Sequence, residues 1–483
     1  MPERPSERAG KERLAGYRDP AVYLLLFALC MAAYQGISDD GLFNDDYSWM
    51  AKARYEMTWG NIAAFRVVDF FRPMVNLSFY LFERLAPGNI PLQYRTQIVL
   101  HFICCVLVYH IFLRVTRSAL ESAAGAALFA VTSVHTGAVF WISARTTLLS
   151  GAFLLGAFLA LPRRPAGAAR IALSTILFIL ALLSKETAIA GLPILFLLHI
   201  LYGGRGSLAG VDRKALAAWT AAAAVYLAVR TPLVGFAGRH DWSIGPHMLR
   251  NLGGGLLYQL YPWPAGSLLL RTWSRIPEPT HPFLPEAAAV GLAALAWWIG
   301  RLSGRPREYI LGIGWSVLAL IPASAFEYRF FSTVSITQNR YYYVSSAGTV
   351  LVLVMTVGLL WRRRSRIARW GAAALLVLLA AGYMVRIGRL ERVWEDFTGM
   401  YTESVEVIVS AVEKEGDRGR VVLDSPPLAF PYVEHAISLA RPGWEVFEAG
   451  RDCAGANVPR PFVCVEFEYD GDRVDGMVTR TIE

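Results

Sequence analysis

Long apolar runs separated by short polar breaks fill the chain from residue 21 to residue 385. Runs of about 15–22 residues match the hydrocarbon thickness of a bilayer, and about eleven can be placed. They are Ala21–Ile37, Thr96–Leu113, Leu120–Trp141, Thr146–Leu161, Arg170–Ser184, Thr187–Tyr202, Ala215–Leu233, Glu286–Gly300, Tyr309–Phe326, Tyr341–Trp361 and Trp370–Val385. Every second break is rich in arginine or lysine: Arg114 and Arg117, Arg163 and Arg164, Arg205 to Lys214, Arg301 to Arg307, and Arg362 to Arg369. The positive-inside rule assigns those breaks, and the basic segment 1–20, to the cytoplasm. No small-residue cleavage pattern follows the first run, so it is predicted to stay as an uncleaved helix.

Two breaks are longer. Residues 38–93 are predicted as the first outer loop, with interfacial helices around Ile62–Val68 and Met74–Leu85. Residues 234–284 are predicted as another outer loop, in which the Gly-interrupted stretch Asn251–Tyr261 either embeds partly or spans. The membrane domain thus covers 21–388. The tail, 389–483, changes character: a helical stretch to about Glu415 precedes β-like runs at Arg420–Leu423, Trp444–Phe447 and Phe462–Phe467. It is predicted as a small α/β domain outside the membrane. The fold class is a polytopic α-helical membrane protein.

Composition agrees. Of 483 residues 55% are hydrophobic and only 18% charged, with a mean hydropathy of +0.38. The net charge of +9 comes from arginines set between apolar runs, which is a topology signal and excludes a nucleic-acid surface. Of five cysteines, Cys30, Cys104 and Cys105 fall in predicted helices as inert packing. Cys453 and Cys464 fall in the outer tail and are expected to pair. No CxxC, HExxH or GxxxxGK[ST] pattern is present, which argues against a zinc motif and a nucleotide donor.

Candidate chemistry collects at the outer ends of the runs. Asp45 and Asp46 follow the first helix, and Arg72 lies in the same loop with a fork suited to phosphate. A base and a phosphate clamp at a membrane surface point to chemistry on a lipid-linked phosphate. Arg145, Lys185 and Arg340 also stand at predicted outer helix ends, against the charge bias of that side.

The order Phe43-Asn44-Asp45-Asp46, then Phe71-Arg72-Pro73-Met74-Val75-Asn76-Leu77-Ser78, resembles the first outer loop of GT-C glycosyltransferases. Further matches follow at Val134-His135-Thr136, Trp141-Ile142-Ser143-Ala144-Arg145, Leu183-Ser184-Lys185-Glu186-Thr187 and Asn339-Arg340-Tyr341-Tyr342-Tyr343. Bacterial relatives of the transmembrane O-mannosyltransferases with tetratricopeptide repeats are the most similar, although the repeats are absent. Gly137, Thr147 and Ser345 stand where that pattern more often has an acidic residue, Asp and Pro.

The resemblance implies a GT-C-like bundle and a hexosyl- or pentosyltransferase. The donor would be a polyprenyl-phosphate-linked sugar and the acceptor a hydroxyl of a protein, lipid or glycan. Transfer would invert the anomeric carbon on the outer face of a bacterial plasma membrane. Asp45 is then the expected base, with Asp46 as its neighbour or replacement. Arg72, His135, Arg145, Lys185, Glu186, Arg340 and Tyr341 are expected to bind donor phosphate or substrate. No cofactor follows, and a divalent ion at Asp45 and Asp46 stays open. Trp394-Glu395-Asp396 is expected to be structural, and the Asn76-Leu77-Ser78 glycosylation pattern to be chance. A polysaccharide polymerase or ligase, or a lipid-linked-sugar transporter, remains the alternative; a transporter would favour polar residues at mid-helix.

Overall fold

A computed structural model describes residues 18–67, 70–161, 167–202, 213–235, 244–260, 284–325, 336–363, 365–413, 419–424, 432–440, 444–448, 458, 461–470 and 473–482. The helices are α1 (Arg18–Tyr34), α2 (Asp45–Tyr55), α3 (Pro73–Leu85), α4 (Ile90–Thr116), α5 (Ala119–Val131), the single turn α6 (Thr136–Val139), α7 (Arg145–Ala160), α8 (Ala168–Leu182), α9 (Gly191–Tyr202), α10 (Arg213–Val234), α11 (Pro246–Gln259), α12 (Leu284–Leu302), α13 (Pro306–Ser324), α14 (Ser345–Trp361), α15 (Arg366–Glu413) and α16 (Tyr432–Ala440). Short 3-10 turns at Ser133–His135, Ile142–Ala144, Glu186–Ala190 and Ile336–Tyr342 precede α6, α7, α9 and α14. The tail adds β1 (Gly419–Asp424), β2 (Trp444–Glu448), β3 (Phe462–Asp470) and β4 (Arg473–Ile482).

Among the described residues five helices are long and apolar enough to cross a membrane, or six if α5 and the segment after it form one bent span. Shorter apolar helices accompany them, so the chain is a helical membrane protein. Most of the predicted outer loop 234–284 lies outside the described residues. Its Gly-interrupted stretch forms α11, with Pro246 at the first turn, where a missing N–H costs nothing.

By packing, the chain forms two compact units. The first comprises Met1–Gly36, Arg95–Phe140 and Ala144–Leu390; the second comprises Ile37–Tyr94, Trp141–Ser143 and Glu391–Glu483. The split falls inside α15, which runs unbroken through residue 389.

In the first unit, α5 starts at an N-cap: the Ser118 hydroxyl accepts the Glu121 N–H at 3.3 Å. The Glu121 carboxylate, 6% exposed, then accepts from Arg305 at 3.0 Å and from Arg362 at 2.6 Å. This joins the start of α5 to the start of α13 and the end of α14. A Cβ on Gly348 would collide with the Gly312 carbonyl, so α13 and α14 cross at backbone contact. The run Leu120–Trp141 is not one straight helix as predicted. It bends by 48° after Val131. Thr132, Ser133 and Thr136 sit there, and the Thr136 hydroxyl takes the Ser133 carbonyl at 3.0 Å, competing with the helix ladder.

In the second unit the sheet order is β2-β1-β3-β4, with β1 parallel to β2 and β3, and β4 antiparallel to β3. Val422, Phe462 and Cys464 form its core. Cys464 is disulfide-bonded, while Cys30, Cys104 and Cys105 are free; Cys453 lies outside the described residues. Helix α16 joins α2 through a 3.0 Å hydrogen bond between His435 and Ser48. Ile62–Val68 is not the predicted interfacial helix, since residues 59–64 are turn. Asn76 makes that turn: fully buried, it donates both amide hydrogens, to the Ile62 and Phe65 carbonyls.

Candidate active site

In the second unit the acidic pair opens α2, a helix within the predicted outer loop. Negative charge is favoured in a first helical turn, and both carboxylates occupy it. Asn44 caps the helix with a positive φ of 46°, a region that asparagine tolerates better than most residues. Its side-chain oxygen accepts from the Tyr401 hydroxyl at 2.6 Å. The Phe43 ring packs at 4.9 Å from Trp394 and 4.8 Å from Tyr401, and the Phe43 carbonyl accepts from the Trp141 indole at 3.2 Å. The turn that presents the pair is therefore held from both sides.

The two carboxylates differ. Asp46 is fully buried. One of its oxygens accepts from the Ser143 N–H at 2.6 Å and the Ser143 hydroxyl at 2.5 Å, and the other from the Phe43 N–H at 3.1 Å. Burial raises its pKa from 3.8 to about 7, helped by the Asp45 charge and opposed by the Ser143 and Phe43 donors. Three of its four lone-pair positions are taken, so the pair is no ready two-carboxylate chelate for a divalent ion. Asp45 is half-buried and borders solvent. Asp40 is raised to about 7 as well, by burial and then by Glu395, Glu391 and Asp39. Arg72, 9% exposed, caps α3 and stacks on Phe70 at 3.8 Å.

Among the described residues of the first unit, a small cleft of about 20 Å³ has cations in its wall. Lys185 sits at the break after α8 in extended conformation, where the chain has left one helix and not begun the next turn. It is 4% exposed, donates to the Thr147 hydroxyl at 2.7 Å, and lies 4.8 Å from the Tyr341 ring. Arg340 lies 4.7 Å from the same ring and donates to the Thr337 carbonyl at 2.5 Å. Two cations on one aromatic ring each gain from its π face, yet repel one another. Thr147, Ser150 and Thr187 bring hydroxyls to the cleft, and Ala319 and Ala323 make its apolar wall.

Other expected site residues lie elsewhere. Arg145 begins α7, is 1% exposed, and donates to Gln97 at 3.3 Å; it does not line the cleft. Glu186 opens the 3-10 turn after Lys185 and is half-buried. His135 is fully buried at the bend after α5, bonded to Ser346 at 2.7 Å and packed against Phe129 and Tyr343. Ser150 escaped the sequence reading. Its signal is a second hydroxyl three residues after Thr147, hence on the same face of an apolar helix.

No protein-family model matches the sequence, and no curated protein matches it either. Solved structures do. ArnT from Cupriavidus metallidurans in the apo state is similar over 95% of this chain and 93% of its own, at 12% identity and a TM-score of 0.52. The same protein bound to undecaprenyl phosphate covers 93% of each chain, at 10% identity and a TM-score of 0.51. The archaeal oligosaccharyltransferase AglB from Archaeoglobus fulgidus, in complex with an inhibitory peptide and a dolichol-phosphate, covers 88% of this chain at 12% identity and a TM-score of 0.50. This chain spans only 64% of the length of AglB. Such identities speak for the fold alone. ArnT and AglB are both GT-C glycosyltransferases, and this chain shares their fold over most of its length.

Proposed function

We propose that the protein is a membrane glycosyltransferase that moves a sugar from a polyprenyl-phosphate-linked donor to a hydroxyl acceptor. The observation that carries this reading is the cleft holding Lys185 and Arg340 against Tyr341. Two cations and several hydroxyls inside an apolar bundle suit an anion that arrives on a lipid. Undecaprenyl phosphate in ArnT and dolichol-phosphate in AglB are anions of that kind.

The reaction follows from the residues. Asp45 takes the proton of the acceptor hydroxyl, whose oxygen attacks the anomeric carbon. The bond from that carbon to the phosphate oxygen breaks, and the lipid phosphate leaves with the electron pair. Lys185 and Arg340 meet the charge that develops on it. Attack opposite to the leaving group inverts the anomeric carbon. Asp46 keeps the turn carrying Asp45 in place. Arg72 is a further phosphate or substrate contact on this reading. On this reading the reaction runs on the outer face of a bacterial plasma membrane, and the arginine pattern supports an outer first loop and tail.

Deleting the gene tests the reaction class. One lipid-linked sugar should accumulate and one glycan should vanish, both read by mass spectrometry. Unchanged lipids and glycans would sink the proposal.

A further inference from the structure

We infer that Cys30, His101 and Cys105 form a structural zinc site inside the first unit, with the Tyr34 hydroxyl beside it. Cys30 and Tyr34 stand one turn apart on α1, and His101 and Cys105 one turn apart on α4. All four are fully buried. The Cys30 and Cys105 sulfurs are 3.9 Å apart, and Cys105 Sγ is 3.7 Å from His101 Nε2. All three ligand atoms lie within 4.8 Å of one another.

Those spacings match an ion's coordination shell. With Zn–S near 2.3 Å and Zn–N near 2.0–2.1 Å, ligands at tetrahedral to trigonal angles stand about 3.8–4.0 Å apart for S–S and about 3.5–3.8 Å for S–N. Two edges of the triangle are already at those lengths. The third closes by a small movement of the Cys30 side chain.

Charge selects the metal. Two thiolates and a neutral imidazole cancel a divalent ion, whereas a monovalent soft ion would leave a net negative charge in an apolar interior. The Tyr34 hydroxyl is the independent sign of a ligand. It is buried with no hydrogen-bond partner, and its ring stands edge-on to His101 at 5.3 Å. A buried hydroxyl in that state is costly, and a zinc-bound thiolate, or the ion itself, gives it a partner.

His101 has the surroundings of a metal ligand on its other nitrogen too. Nδ1 is 2.8 Å from the Tyr343 hydroxyl, an outer partner that fixes the ring and its tautomer. Nε2 is 3.0 Å from the Ala130 carbonyl, and the ion replaces that one hydrogen bond. The site escapes a motif search because its ligands come from two helices far apart in sequence. It pins α1 to α4 and takes no part in sugar transfer. Since the ligands are wholly enclosed, the ion enters as the helices assemble.

The full chain, made in cells supplied with zinc and purified in detergent without chelator, should carry one zinc per chain by elemental mass spectrometry. Cys104→Ser serves as the control, because Cys104 Sγ turns to the Leu148 carbonyl instead. That variant should keep its zinc, while Cys30→Ser and Cys105→Ser should lose about tenfold or more. Zinc absent from the wild type, or retained in both serine variants, overturns the inference. Should the variants fail to fold, wild-type protein grown on cobalt decides alone. Thiolate-to-cobalt absorption in the near ultraviolet is expected, and its absence overturns the site, as does a Cys30–Cys105 disulfide in the peptide map.

Discussion

The two units hold their buried charges in opposite ways. In the second unit the buried acid is Asp46, whose oxygens are filled by Ser143 and Phe43 of the same unit. In the first unit Lys185 and Arg340 line a cleft, and their contacts include a hydroxyl, a carbonyl and a shared aromatic ring. A carboxylate saturated by its own fold can hold a loop but has little left for a substrate. Cations at the wall of a cleft can still meet an anion from outside. The reacting carboxylate should therefore be the half-buried Asp45 and not its buried neighbour.

The largest expected effect tests the carboxylate half. Asp45→Asn keeps the shape of the first turn of α2 and removes the proton acceptor, so transfer should fall by about 10²- to 10⁴-fold at normal expression. An assay with a polyprenyl-phosphate sugar in detergent reads it. Activity that survives Asp45→Asn but dies in Asp46→Asn would reverse the contrast between filled and open carboxylates. Survival in both would remove the base from this loop.

Next comes the cationic half. Lys185→Ala and Arg340→Gln should each cost about 10²-fold in transfer, as for other electrostatic clamps. Arg145→Gln is the informative comparison, since Arg145 is buried against Gln97 away from the cleft. It should lower the folded yield more than the activity of what folds. Near-full activity in both cleft variants would leave them as packing cations only.

Much of this could be read from the chain, and what could not has identifiable causes. Apolar length sufficed for α4, α7, α8, α10 and α13, because a bilayer-length run has few alternatives. Breaks inside apolar runs were lost: hydropathy averages over Thr132-Ser133, and over the turn Glu186–Ala190 that precedes α9. Helix α2 was lost because its polar sequence has no apolar stripe, although acids in its first turn and Lys52 and Arg54 in its last were there to be seen. Strand β4 was lost because Arg473–Ile482 mixes polar and apolar residues without clean alternation. For the candidate site, motif order points to Asp45, Asp46, Lys185, Arg340 and Tyr341. It could not tell a saturated carboxylate from an open one, since Ser143 lies 97 residues from Asp46. Nor could it place two cysteines and a histidine around one point.

A smaller effect separates stability from chemistry within the first unit. Glu121→Gln leaves Arg305 and Arg362 facing each other without the carboxylate they share. Breaking a buried ion pair on one side costs about 3–5 kcal/mol; with Arg362 half-exposed, about half of that is expected here. Thermal unfolding should shift down while transfer per folded molecule holds. A lost activity at unchanged stability would tie this network to the reaction.

The smallest effect is the subtlest test of Asp46. Burial favours its protonated form, while three donors favour the carboxylate; with the pKa at about 7 against an ordinary 3.8, burial wins. A carboxyl whose pKa is raised on folding adds stability that is complete below about 3.8 and is lost as pH rises through about 7. Asp40, also raised to about 7, acts in the same direction. Hydrogen exchange of the α2 amides, corrected for intrinsic rates, should therefore show protection falling between pH 5 and 8. In Asp46→Asn the overall protection should drop, because the amide oxygen keeps the two Ser143 donors and the NH2 group faces the Phe43 N–H; the cost is about 1–3 kcal/mol. The pH slope should also shrink to the share left by Asp40. If the donors outweigh burial instead, Asp46 stays ionised throughout that range. The wild type would then show the same slope as Asp46→Asn, and burial would not decide the charge of Asp46.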